Sequence, residues 1–212
     1  MSPRPQPEGG QAKRPRMTIP ALAEMKARGE PIVMVTAYDF PSAQVAEDAG
    51  VDVVLVGDTA AMVVLGYDAT TPVGMDEMVT MAAAARRGLG RPLLIGDLPF
   101  GSYERSNEHA IDNAQRFVRE AGCDAVKLER GGPSVERARA IVRSGIPVMG
   151  HVGLTPQTAS ALGGFKPFRS RKGEQRGLVR CANEFKFFRH RSSPISISGP
   201  GVPRQRRHCR VP

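Results

Sequence analysis

The stretch VDVVLVGDT, residues 51–59, decides the fold of this chain. It is an aliphatic, mostly β-branched run that ends abruptly in Gly57, Asp58 and Thr59. A nearly continuous apolar run of this length predicts a strand buried on both faces, as in a parallel sheet. A carboxylate and a hydroxyl at the end of such a strand are poorly suited to a hydrophobic core, so they indicate a functional site.

The same arrangement occurs three more times in the sequence. Polar residues lie near the ends of PLLIGDLP at 92–99 with Asp97, AVKLE at 125–129 with Lys127 and Glu129, and PVMGHVG at 147–153 with His151. Four apolar runs therefore each deliver polar side chains near their carboxyl ends. This repetition is the strongest functional signal in the sequence.

The predicted strands alternate with predicted helices along the chain. Strands are expected at 32–39, 51–59, 92–99, 125–129 and 146–151, and helices at 19–28, 42–49, 76–87, 106–121 and 134–143. Asp76, Ser106 and Ser134 are the predicted N-caps, and a glycine follows nearly every helix. Such βαβ repetition predicts a parallel sheet, either doubly wound or closed into a (βα)8 barrel.

Two features favour the barrel, so the predicted fold class is α/β of the (βα)8 TIM-barrel type. No G-x-G-x-x-G motif follows a strand, which argues against a dinucleotide-binding Rossmann fold. Polar residues at the ends of successive strands match the place where barrel enzymes build their active sites. Because the pattern stops after about the fifth strand, the barrel is predicted to be truncated there.

The charge of the chain, +9 overall, is unevenly distributed. From Phe165 onward, 13 Lys and Arg residues stand against 2 Asp and Glu residues, a net +11, whereas residues 17–164 have 13 basic and 18 acidic residues, a net −5. We predict a disordered arm at 1–16, a partial barrel domain at 17–166 and a basic irregular tail at 167–212. The tail is either a disordered basic segment or the product of out-of-frame translation, and its Arg, Ser and Pro content favours the second.

Several classes of protein are not favoured by the composition. The three cysteines form neither a disulfide framework nor a metal-binding pattern. No apolar run approaches the roughly 20 residues of a membrane span, and residues 1–16 lack the apolar core of a secretory signal. We therefore expect a cytoplasmic protein without a membrane partner.

Alternation along the strands predicts which side chains share a face. It groups Val54 and Val56 with Asp58, Leu93 and Ile95 with Asp97, and Lys127 with Glu129. If these faces point inward, the carboxylates of Asp58, Asp97 and Glu129 converge at one rim. Their repulsion would raise their pKa values, and a hard divalent cation such as Mg²⁺ relieves it. Lys127 adds a positive charge for an anionic substrate, whereas His151 fits either a functional role or a satisfied core position.

Four longer segments contain the polar strand ends and the loops beside them. They are VTAYDFPSAQVAEDAGVDVVLVGDTAAMVVLGYDATTPVGMDEM at 35–78, LLIGDLPFGSY at 93–103, AVKLERG at 125–131 and IPVMGHVGLTPQTASALGGFK at 146–166. Together they resemble the ketopantoate (3-methyl-2-oxobutanoate) hydroxymethyltransferase family. The resemblance covers about residues 18–166. It implies a (βα)8 barrel and the first committed step of pantothenate synthesis.

The resemblance also implies roles for individual residues and partners. Mg²⁺ would be held by Asp58, Asp97 and Glu129, and the 2-oxo acid substrate would be contacted by Asp58, Thr59, Asp97 and Lys127, with His151 lining the pocket. The family usually has Ser in place of Thr59, a change that keeps the hydroxyl. The one-carbon donor would be 5,10-methylenetetrahydrofolate, and a homo-oligomer is expected.

One departure from the family bears on activity. The family continues past GGFK with further strands that include a general-base glutamate, and no such strand is recognisable here. The catalytic base is therefore predicted to be absent and the chain inactive by itself. Two alternatives stay open: a related Mg²⁺-dependent 2-oxo acid lyase or mutase, and a non-catalytic partial barrel whose cationic tail binds nucleic acid.

Overall fold

A computed structural model describes residues 15–129, 133–151, 155–158 and 195–198 of the chain. Its helices are α1 Ile19–Arg28, α2 Phe40–Asp48, α3 Ala60–Val63, α4 Met75–Gly88, α5 Asn107–Ala121 and α6 Pro133–Arg143, and a 3₁₀ helix spans Pro156–Thr158. Its strands are β1 Met34–Thr36, β2 Val53–Val56, β3 Leu93–Asp97, β4 Ala125–Glu129, β5 Val148–His151 and β6 Ile195–Ser198.

The strands form one sheet in the order β1-β2-β3-β4-β5-β6. Each of β1 to β4 pairs in parallel with the next strand along the chain, whereas β6 lies antiparallel to β5. A doubly wound sheet reverses its strand order at a switch point, and β1 to β5 show no such reversal. The α/β fold class is confirmed, and the strand order is that of a (βα)8 barrel.

The sheet has a hydrophobic core on each face. One face is covered by α2, α4, α5 and α6. Its core contains the strand residues Val54, Val56, Leu94 and Val126 and the ring of Phe117 from α5. On the other face Val53, Leu55, Leu93 and Ile95 pack with Leu22 of α1. Every residue of β2, β3 and β4 is buried, as expected for parallel strands covered on both sides.

Local signals in the sequence locate several helix ends. α1 begins and ends as predicted: Thr18 Oγ1 accepts a hydrogen bond from Ala21 N, and Gly29 adopts a left-handed φ of 74°. Ser106 is the N-cap of α5, as predicted, and its side chain accepts from His109 N. These caps satisfy backbone groups that the helix itself leaves unpaired, so short sequence motifs are sufficient to predict them.

Other boundaries were predicted wrongly. The N-cap of α4 is Gly74, not Asp76, and the Glu77 side chain accepts from Gly74 N at 2.6 Å. α6 begins at Pro133, so Ser134 lies within its first turn. Four of the five predicted strands are longer than those observed, because apolar residues flank the paired segments, whereas β4 spans Ala125–Glu129 as predicted. The short helix α3 was not predicted.

The predicted domain boundaries lie mostly outside the described residues. Met17, the first residue of the predicted barrel domain, lies within the described residues, and its N donates to Arg91 O at 2.8 Å. Residues 195–198 of the predicted irregular tail form β6, an element that the sequence pattern did not indicate. The division at 166 and the out-of-frame origin of the tail stay predictions.

Candidate active site at the carboxyl ends of the strands

The register of the sheet brings together polar residues from three strands. Asp97 of β3 lies beside Lys127 of β4, and Glu129 of β4 lies beside His151 of β5. Paired residues in a sheet point to the same side. The prediction that Lys127 and Glu129 share a face with Asp97 is therefore consistent with the register, and that face is opposite the one covered by α2, α4, α5 and α6.

Asp58 also lies beside Asp97, but the turn after β2 places it there, not the alternation of side chains along the strand. Val54 and Val56 lie in the core under the helices, so the inference that their face carries Asp58 inward is wrong. β2 ends at Val56, and the turn that follows Gly57 reorients the chain. As a result, Asp58 N donates to Asp97 Oδ2 at 3.3 Å.

Asp97 and Lys127 form a buried ion pair. Lys127 Nζ lies 2.5 Å from Asp97 Oδ2, and the side chains are 7% and 1% exposed. Burial raises the pKa of Asp97 to about 7, with Asp58 and Glu129 adding to the rise and the Lys127 ammonium opposing it. Burial disfavours the ammonium as well, but the three carboxylates together hold the pKa of Lys127 above its usual value.

Glu129 interacts with His151 and with the backbone of Gln157. Its Oε1 lies 2.9 Å from His151 Nδ1 and its Oε2 accepts from Gln157 N at 3.3 Å. Burial opposes ionisation, yet the His151 hydrogen bond and the Lys127 charge hold the pKa of Glu129 below its usual value. An ionised carboxylate only accepts, so Nδ1 of His151 carries the proton in this arrangement.

Gln157 and Tyr103 belong to this network although the sequence analysis did not select them. Gln157 Nε2 donates to Asp58 Oδ2 at 2.8 Å, and Tyr103 Oη donates to Gln157 Oε1 at 2.5 Å. Burial raises the pKa of Asp58, and the Lys127 charge and the Gln157 hydrogen bond partly offset that rise. Tyr103 lies in the loop after β3 and Gln157 in the short 3₁₀ helix after β5, two places where no periodicity marks a side chain that turns inward.

Thr59 lies at the edge of the network. Its Oγ1 is 3.0 Å from Tyr38 Oη, and either hydroxyl can be the donor. Thr59 is partly exposed, whereas Asp58, one residue earlier, is buried. The structure thus places Asp58, Asp97, Lys127, Glu129 and His151 in one connected network and Thr59 directly beside it.

The charges of this network are unbalanced. Three buried carboxylates face one ammonium, which leaves two negative charges in excess when all four groups are ionised. A low-dielectric site resolves such an excess by binding a cation or by taking up a proton. Asp97 is the carboxylate that favours proton uptake, because burial, together with the charges of Asp58 and Glu129, raises its pKa to about 7.

The donor atoms fit a hard divalent cation in part. Within the described ranges, no three His, Cys, Asp or Glu side chains are placed so that they could hold a metal ion by themselves. However, Asp97 Oδ1 is buried and has no hydrogen-bond partner among the described residues. Oxygen ligands supplemented by water or substrate oxygens are the usual coordination of Mg²⁺, so two carboxylates can suffice.

Comparison with known proteins identifies related sequences. The profile of the family described as ketopantoate hydroxymethyltransferase matches residues 16–187, which continues past the resemblance seen in the motifs. The 3-methyl-2-oxobutanoate hydroxymethyltransferase 1, mitochondrial, of Oryza sativa subsp. japonica is 57% identical over 153 residues, 72% of this chain and 42% of the relative. The Moorella thermoacetica 3-methyl-2-oxobutanoate hydroxymethyltransferase is 56% identical over 155 residues, 73% of this chain and 58% of the relative.

The chain therefore spans about two-fifths to three-fifths of the length of these relatives. Among solved structures, 2,3-dimethylmalate lyase, a PEP mutase/isocitrate lyase superfamily member, aligns with a TM-score of 0.56. The alignment covers 78% of this chain and 59% of that chain at 18% identity, which shows a common fold alone. In the described part of the chain, every helix is too short or too polar to traverse a bilayer.

Proposed function

Because the chain belongs to the ketopantoate hydroxymethyltransferase family, we propose that its strand-end network binds 3-methyl-2-oxobutanoate and Mg²⁺. In the proposed reaction the substrate loses a proton from C3, and C3 then bonds to the one-carbon unit of 5,10-methylenetetrahydrofolate. The two bonds from that carbon to the folate nitrogens break, water supplies the new hydroxyl group, and tetrahydrofolate leaves with the C3 proton and the remaining proton of water on its nitrogens. The product is 2-dehydropantoate. The observation that supports this proposal is the buried network of three carboxylates and one lysine at the carboxyl ends of β2, β3 and β4.

The residues of the network have distinct proposed roles. The Lys127 ammonium, kept protonated by its carboxylate neighbours, faces the negative charge of the 2-oxo acid. The Thr59 hydroxyl donates a hydrogen bond to a substrate oxygen, and Tyr38 holds that hydroxyl in place. His151, held by Glu129 through Nδ1, lines the same pocket.

We assign the metal to Asp58, Asp97 and Glu129. Among the described residues Asp97 Oδ1 accepts no hydrogen bond, and Asp58 has one oxygen that Gln157 does not engage. Both oxygens of Glu129 already accept hydrogen bonds, so Glu129 would act through a water of the metal shell. Bound Mg²⁺ would supply positive charge that polarises the keto group and acidifies C3.

Binding, rather than turnover, is the property that tests this proposal on the chain. The reaction needs a general base for the C3 proton, and no strand resembling the one that carries the family's glutamate base is recognisable in the sequence. Glu174 and Glu184 lie outside the described residues, and we assign neither of them this role. That the chain by itself does not turn over substrate therefore remains a prediction.

The test is calorimetric titration of the chain with 3-methyl-2-oxobutanoate, with and without Mg²⁺. We expect saturable binding that requires Mg²⁺ and that falls by about 10-fold or more in Asp97→Asn, because groups around a bound metal typically contribute 10- to 100-fold to its affinity. Asp112→Asn is the matched control, since Asp112 is exposed on α5. Metal-independent binding, or equal losses in both variants, would refute the assignment.

We also propose a cytoplasmic homo-oligomer for this chain. The proposal is supported by the family membership and by the lack of a membrane-spanning helix in the described ranges. Sedimentation velocity at two protein concentrations measures the assembly directly. A single monomeric species at both concentrations would contradict the oligomer.

A further inference from the structure

A buried glutamine joins the ends of three neighbouring strands. Gln157 is 4% exposed, and its Nε2 donates to Asp58 Oδ2 at 2.8 Å and to Leu98 O at 3.0 Å. Its backbone N–H donates to Glu129 Oε2 at 3.3 Å. Asp58 comes after β2, Leu98 comes after β3, and Glu129 is the last residue of β4. Gln157 therefore connects the ends of three strands that carry site residues.

Tyr103 decides which way the Gln157 amide faces. A glutamine amide can be turned over, which exchanges its oxygen with its NH₂ group. Here Tyr103 Oη donates to Gln157 Oε1 at 2.5 Å and accepts from Glu129 N at 3.4 Å. In the opposite orientation the amide oxygen would face the Asp58 carboxylate and the Leu98 carbonyl, two acceptors that offer it no proton.

We propose that Gln157 and Tyr103 are positioning residues for this site, Tyr103 orienting the amide and the amide holding Asp58. The inference rests on the proposed function, because the position of Asp58 matters to binding only if Asp58 contacts a ligand. Neither residue needs to touch metal or substrate in this role. Both side chains are buried, with Tyr103 at 0% exposure, so each polar group relies on its protein partners rather than on solvent.

Two conservative variants remove the hydrogen-bonding groups of Tyr103 and Gln157 while they keep the size of the side chains, so they test the positioning role without emptying the core. Tyr103→Phe removes only the hydroxyl, and Gln157→Met removes the amide while it keeps the chain length and the backbone N–H. Groups that orient metal ligands typically contribute 10- to 100-fold to metal affinity. We therefore expect each variant to weaken Mn²⁺ binding, measured by electron paramagnetic resonance, by about 10-fold.

The double variant gives the readout that a purely structural role would not produce. Because Tyr103 acts through Gln157, the loss in the double variant should be close to the larger single loss rather than to their product. Tyr67→Phe and Gln115→Met make the same chemical changes at exposed residues and should bind Mn²⁺ like the wild type. Losses that multiply, or wild-type affinity in Tyr103→Phe, would overturn the positioning role.

A measurement without metal tests the orientation of Gln157 by Tyr103 independently of the proposed metal site. The ¹⁵N side-chain amide signal of Gln157, assigned by its loss in Gln157→Met, should shift in Tyr103→Phe and in Asp58→Asn but not in Tyr67→Phe. An unshifted signal overturns the positioning role whether or not Mn²⁺ binds. If the wild type binds no Mn²⁺ but the signal shifts, the proposed metal site fails while the orientation of Gln157 by Tyr103 is upheld.

Discussion

Neighbouring groups crowd the place where a Cβ atom would lie at two glycines of the site-bearing segments, slightly at Gly57 and severely at Gly96. A Cβ on Gly57 would lie 3.2 Å from Thr59 Oγ1 and 3.8 Å from Asp97 Oδ2, inside the site itself. A Cβ on Gly96 would lie 2.4 Å from Cδ1 of Phe117, on the helix-covered face. At the residue scale, the lack of a Cβ atom at these two positions therefore matters: Gly57 leaves space beside Thr59 and Asp97, and Gly96 leaves space for Phe117.

Gly96→Ala should destabilise the protein by about 1–3 kcal/mol, the usual cost of forcing extra atoms into a packed core. The Phe117 ring is fully buried, so a Cβ atom at 2.4 Å must displace packed core atoms. Chemical denaturation gives the free energy of unfolding. Gly90→Ala is the matched control, because its Cβ would meet Glu47 Oε1 at an ordinary 3.5 Å; equal stability of the two variants would contradict the predicted clash.

Cys123 should resist alkylation in the native protein. It is 4% exposed, and burial, assisted by the charge of Asp124, raises the pKa of its thiol to about 12. Since the thiolate is the reactive form, iodoacetamide at pH 8 should modify Cys123 only after denaturation. Peptide mass spectrometry measures this, with Cys181 and Cys209 in the denatured sample as reagent controls. Native labelling of Cys123 at the denatured rate would show that this part of the core opens.

At the scale of secondary structure, each site residue depends on where its strand or helix ends. Glu129 is the last residue of β4 and Asp97 the last of β3, so a shift of either strand by one residue would turn its carboxylate to the other face. The caps of the intervening helices hold these ends in place. α5 connects β3 to β4, and its N-cap is Ser106.

Ser106→Ala should lower the stability by about 1 kcal/mol, because His109 N loses its acceptor at the start of α5. For a domain of this size, such a loss lowers the melting temperature by about 2–4 °C. Ser106→Asp keeps an acceptor at the same position and should restore the wild-type value. If Asp and Ala were equally destabilising in calorimetry, the side-chain cap would not be the cause.

At the scale of the whole molecule, the strands of the sheet differ in how many of their edges are hydrogen-bonded to a neighbouring strand. β3 and β4 are paired on both sides, whereas β1 is paired only with β2 among the described strands. The pattern of exposure agrees, since Val35 of β1 is 37% exposed. The first strand should therefore be the least stable part of the parallel sheet.

Hydrogen exchange should reveal this gradient. Amides of Leu93–Asp97 and Ala125–Glu129 should exchange at least about 10-fold more slowly than those of Met34–Thr36, because opening a central strand breaks two ladders. Residue-resolved exchange by NMR measures the difference. Equal protection of β1 would mean that another segment pairs with its second edge, which would argue against the predicted open barrel.

The sequence by itself determined the α/β class, the alternation of strands and helices, several helix caps and the shared face of Lys127 and Glu129. These follow from hydrophobic period and backbone capping, which act over a few residues. Tertiary structure alone decided how Asp58 reaches Asp97, how Tyr103 meets Gln157 across 54 positions, and that β6 pairs with β5. Such contacts depend on which loops lie side by side once the sheet has formed, and no local pattern encodes that proximity.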